Sequence, residues 1–143
     1  MDIKSLKELV SEKFWQECSK KLKNEKTVVV LHELFDYIVD ILAKRIDNIK
    51  TEDGKAISFF SKEREFLTIN VTRKNLRIYL HPPAGAFFEP NTRFDVEEFR
   101  FWEGSYRKAS GKYRGMSVWI SEKKYLQGVK EIINQIPRTL EDK

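Results

Sequence analysis

The chain is poor in the residues that most often betray a mechanism. It has a single cysteine, Cys18, among its 143 residues, so no intramolecular disulfide can form and a buried or boundary thiol is expected. Only two histidines are present, His32 and His81, with no HxxxH or HExxH spacing; no metal site and no cofactor are expected. No GxSxG, P-loop or GxGxxG sequence occurs, which leaves acyl transfer, nucleotide-triphosphate and dinucleotide chemistry without local support. The longest unbroken apolar run is four residues, Val28 to Leu31, against roughly 20 for a membrane-spanning helix. No membrane partner is expected. The chain opens without a charged stretch, apolar run and cleavage site, so a cytoplasmic location is expected.

What is present is ordinary for a folded domain. The apolar fraction is 41%, charged residues make up 34% and aromatics 13%, which argues for one packed core and a single domain over 1–143. Residues 1–26 read as an N-terminal helix and connector, and 27–140 as an α+β core. The net charge of +5 is unevenly spread. Residues 55–81 carry 6 Lys/Arg against 2 Asp/Glu, and 100–143 carry 10 against 5, whereas 82–99 carry 1 against 4. If the two basic segments adjoin in the fold they form an anion-attracting patch; otherwise they are solvated faces.

Ile3, Leu6, Leu9, Val10 and Phe14 recur at helical spacing, with Trp15 extending the pattern. After a polar connector, Leu31, Leu34, Phe35, Ile38, Leu42, Ile46 and Ile49 predict one long helix from Thr27. Thr51 to Gly54 signals a turn, and Ala56 to Ser61 a strand. Leu67, Ile69 and Val71 alternate with polar residues, as do Leu76, Ile78 and Leu80, so two half-buried strands are expected, joined through Thr72-Arg73-Lys74-Asn75. A tight link pairs Val71 with Leu76, Ile69 with Ile78 and Leu67 with Leu80. Pro82-Pro83 ends the hairpin. The aromatic segment from Phe94 to Trp102 has no clear period, Gly104 to Gly115 reads as a loop, and Met116 to Ile120 as a strand. Ser121 is placed to cap a last helix running to Ile136. The fold class expected is α+β, an antiparallel sheet of about four strands with helices packed on one face.

The hairpin's other face then holds Phe66, Thr68, Asn70, Arg77, Tyr79 and His81, with Arg73 and Lys74 at its tip. Rings stack on bases while cations meet phosphates, so this face is a candidate surface for single-stranded nucleic acid. Arg107, Lys108 and Arg114 in the basic loop could join it. Alternatively, Phe87 and Phe88 cover the face and make a second small core. Asp53-Gly54-Lys55 has the acid-x-lysine spacing of some metal-dependent nucleases but falls in a turn.

The stretches LHELFDYIVDIL, EFLTINVTRKNLRIYL and MSVWISEKKYLQGVKEIINQI are similar to a domain-of-unknown-function family that occurs alone or at the C-terminus of bacterial and archaeal proteins labelled predicted transport or endonuclease-like proteins. The resemblance runs from about Leu31 to Leu140, over two thirds of the chain. It implies an accessory module, its nuclease-like company leans towards nucleic acid, and it carries no catalytic residue. The functional expectation is therefore a binding or accessory module, with a protein-interaction or homo-oligomerisation domain as the alternative and an enzyme third.

Overall fold

Why the N-terminal apolar spacing yields two helices rather than one is visible at Ser11. The computed structural model of the chain describes residues 2–81, 95–101, 106–107, 112–113 and 116–137. In it, α1 (Ile3–Glu8) and α2 (Glu12–Lys21) are separate. Ser11 is extended and its Oγ accepts a hydrogen bond from the Phe14 amide at 3.2 Å, an N-cap that starts a new helix. Leu6, Val10, Phe14 and Cys18 are nevertheless all buried, because their spacing of four carries across the break.

The long helix is displaced at both ends from its expected bounds. Asn24 Oδ1 accepts from the Lys26 amide at 2.9 Å, so α3 (Glu25–Leu42) begins two residues before Thr27. It stops at Leu42, and Ile46 and Ile49 enter the core from beyond it, Ile49 as part of strand β1 (Asn48–Glu52). Four further strands extend the sheet: β2 (Ala56–Ser61), β3 (Arg64–Val71), β4 (Leu76–Leu80) and β5 (Glu98–Phe101). Within the stretch expected as a loop, β6 (Tyr106–Arg107) and β7 (Lys112–Tyr113) pair as a separate two-stranded ribbon. Strand β8 (Met116–Ile120) follows, then a 3-10 turn (Lys123–Tyr125) and α4 (Leu126–Ile133).

The large sheet has six strands in the order β1-β2-β3-β4-β8-β5, every pair antiparallel. The class is α+β, with two strands more than expected because β1 and β5 lack a period-two signal of their own. The hairpin register is the one the alternation demands: Leu67 faces Leu80, Ile69 faces Ile78 and Val71 faces Leu76. These aliphatics join Ile57, Phe59, Val118 and Ile120 in one core with the buried faces of α1 to α4. Each such burial contributes about 1.5–3 kcal/mol.

Two polar contacts close the layer. Thr27, fully buried, donates from Oγ1 to the Ser121 carbonyl at 2.9 Å, tying the start of α3 to the end of β8. Ser121 does not cap the last helix as expected. The 3-10 turn intervenes and α4 starts only at Leu126, too far along the chain for Ser121 to reach its first amides; the Ser121 Oγ donates to the Glu97 carboxylate, at 2.9 and 3.1 Å. Among the described residues no helix is long and apolar enough to cross a membrane.

Candidate functional site

The sheet's outer face is set by register. Across β2, β3, β4 and β8, Ala56, Asn70, Arg77 and Trp119 form one row, and Ser58, Thr68, Tyr79 and Ser117 the next. The strand parity that buries Val118 and Ile120 puts Trp119 beside Arg77. The guanidinium carbon of Arg77 sits 3.9 Å from the centroid of the Trp119 ring, a cation–π stack on half-buried side chains. Arg77 Nε is buried and has no hydrogen-bond partner among the described residues. A second cation lies over a ring towards the β1 edge, Lys50 Nζ at 4.9 Å from the Phe60 centroid.

Phe66 requires a correction. It lies in the core, only 3% exposed, with its ring 6.5 Å from that of Phe59. The cause is an irregularity in the β2–β3 ladder: Phe59 pairs with Leu67 and Phe60 with Glu65, so β3 advances two residues while β2 advances one. The extra residue is Phe66, and a bulge of this kind turns a side chain off its alternating face. It is therefore no part of an outward aromatic platform.

The tip residues are where the sequence places them. Thr72 Oγ1 accepts from the Lys74 and Asn75 amides at 3.2 and 3.0 Å, and the Thr72 amide donates to the Asn75 carbonyl at 3.0 Å. That turn leaves Arg73 and Lys74 exposed, about one residue pair from the Asn70–Arg77 row. Arg107 pairs through its backbone with Lys112 in the small ribbon rather than in the six-stranded sheet. Lys108, Arg114, Phe87 and Phe88 lie outside the described residues.

The middle of the outer face is not open. Thr68 is 9% exposed and Ser117 only 2%, with half-buried Tyr79 between them in register. Thr68 Oγ1 donates to Glu65 Oε1 and lies 3.4 Å from Ser58 Oγ. Burial raises the Glu65 pKa, but hydrogen bonds from Thr68 and Ser58, helped by His81, more than offset it and hold the carboxyl below its ordinary value. His81, whose amide donates to the Phe66 carbonyl at 2.9 Å, also has a lowered pKa, which for an imidazole favours the neutral form. Burial pushes its pKa down, and the opposing pull of Glu65 is weaker.

The remaining sequence candidates fall into place simply. His32 is exposed and its ring stacks on Trp15 at 4.4 Å. Cys18 is buried, and burial pushes its thiol up to about 11, overcoming the opposing effects of Lys21 and of a hydrogen bond with the Gly54 backbone. Asp53-Gly54-Lys55 is the β1–β2 turn, closed by the Lys55 amide on the Glu52 carbonyl at 2.9 Å. No group of three or more His, Cys, Asp or Glu among the described residues could hold a metal ion. Sequence reasoning missed Trp119, whose signal was its alternation with Val118 and Ile120. What it lacked was the knowledge that β8 lies against β4.

Comparison of the chain with protein-family models, curated proteins and solved structures finds no match.

Proposed function

We propose that the chain is a cytoplasmic accessory module that binds single-stranded nucleic acid at the hairpin end of its sheet. The observation that carries this reading is the Arg77–Trp119 stack on the outer face, one register step from a tip bearing exposed Arg73 and Lys74. A flat guanidinium held on an aromatic ring offers a surface for base stacking. The tip cations would neutralise the backbone. The sequestered Thr68–Ser117 row confines the contact to this end, which makes the footprint a few nucleotides rather than the whole sheet. The resemblance to modules that accompany nuclease-like domains points the same way.

Fluorescence anisotropy with labelled single-stranded RNA and DNA tests it. Affinity is expected to fall steeply between low and physiological salt. Arg77→Gln should weaken binding by about tenfold, on the scale of one stacked base, while Lys44→Gln leaves it unchanged. No binding at low salt, or binding indifferent to Arg77→Gln and to the Arg73→Ala, Lys74→Ala pair, sinks the proposal. A mass that rises with protein concentration, in the absence of oligonucleotide binding, would favour the homo-oligomerisation reading instead.

A further inference from the structure

At the same end of the sheet, on the side of α2, lies an open concavity of about 530 Å³. Five cations from three separate segments line it: Lys20, Lys21 and Lys23 at the end of α2, Lys55 beside the β1–β2 turn, and Arg73 on the β3–β4 turn. Its two carboxylates are already engaged, Glu17 by Lys20 at 3.5 Å and Asp53 by Lys13 at 3.7 Å. Among the described residues Lys21, Lys23, Lys55 and Arg73 have no carboxylate within ion-pair distance.

The gathering is built by the fold. Gly54 is buried with φ +70°, and a Cβ there would come within 3.0 Å of Glu17 Cβ and 3.4 Å of the Glu17 carbonyl oxygen. Only a residue without a side chain lets the turn seat this closely on α2, and that seating brings Lys55 into line with the lysines of α2. The negative end of the helix dipole accounts for Lys20 and Lys21 in its last turn. It does not account for Lys23, Lys55 and Arg73. Five cations against two carboxylates leave the concavity with an excess of positive charge gathered from distant segments, and like charges held so close favour an added anion. Among the described residues no aromatic or apolar side chain lines the concavity, so they offer neither a base nor an acyl group a surface there.

We infer that this concavity is a binding site for a phosphate group, with Lys21, Lys23, Lys55 and Arg73 as its ligands. The site rests on observations separate from the Arg77–Trp119 stack. A phosphate group can come from the end of a nucleic-acid strand or from a small phosphorylated molecule, and both present the same compact charge to a ring of cations.

The test is a titration of the full chain with inorganic phosphate in a low-chloride buffer, followed by amide chemical shifts. Saturable shifts are expected at Lys21, Gly54, Lys55 and Arg73. They should vanish in a Lys21→Glu, Lys55→Glu variant and persist in the charge-matched Lys4→Glu, Lys44→Glu variant. A second arm compares a 5′-phosphorylated oligonucleotide with its 5′-hydroxyl counterpart. About tenfold tighter binding of the phosphorylated strand, lost in the Lys21→Glu, Lys55→Glu variant, makes a strand end the source. Phosphate binding with no oligonucleotide binding keeps this site, assigns it to a small phosphorylated molecule and removes the nucleic-acid reading. No saturable phosphate response, or one lost equally in the control variant, overturns the site, even where oligonucleotides still bind through Arg77.

Discussion

At the scale of single residues, the β2–β3 turn stores strain that a substitution would release. Lys62 and Glu63 both have positive φ, 50° and 67°, the pairing that a two-residue hairpin turn demands and that glycine or asparagine normally supplies. The Lys62 amide donates to the Asp47 carboxylate, so the backbone is held in this conformation from outside the hairpin. Lys62→Gly keeps the amide and removes the Cβ clash. It is expected to raise stability by about 0.5–1 kcal/mol in urea denaturation, the left-handed penalty less the entropy cost of glycine. Cys18 gives a second residue-level test. With its thiol at about 11 rather than the usual value of about 8.5, its thiolate fraction at pH 8 is reduced by about a hundredfold or more. Alkylation by iodoacetamide should be slower by at least that factor in the native protein than in urea, as mass spectrometry would show.

At the scale of elements, the cap at Ser11 is what divides the N-terminal helices. Ser11→Ala should cost about 1 kcal/mol, read as a lower urea midpoint with an unchanged slope. The same residue shows where legibility in the sequence ends. Leu6, Val10, Phe14 and Cys18 keep helical spacing through the break, so periodicity alone sees one helix; only the serine followed by an acid, Glu12, marks the restart. Ile46 and Ile49 mislead in the same way, continuing the rhythm of α3 past its end at Leu42. The β3–β4 hairpin was readable to the residue pair because strict alternation on both sides of a short link admits one register. A bulge has no such signature, and Phe66 therefore fell on the wrong face. Of the candidate site, Arg73, Lys74 and Arg77 were legible as outward or tip residues. Trp119 and the lysines of α2 were not, since their neighbours come from strand order and from the docking of α2 on a turn, both long-range properties.

At the scale of the whole molecule, the balance of charge and burial sets how stability responds to acid. The buried environment of His81 lowers its pKa in the folded state below the value of about 6.5 it regains on unfolding. The unfolded chain therefore takes up the proton first. This contribution to stability is complete at neutral pH and is lost as pH falls from about 6.5 towards the folded value. Between pH 7 and 5, His81→Gln should lose less stability than the parent in parallel urea titrations. The order β4-β8-β5 has a consequence of another kind. The last strand of the sheet to leave a ribosome occupies an interior position, not an edge. Until 116–120 emerge, β4 presents an unpaired ladder to whatever lies nearby, and β5, already synthesised, has nothing to bind. Completion of this sheet is thus a late insertion in the life of the nascent chain, the interval in which a chaperone would have most to protect.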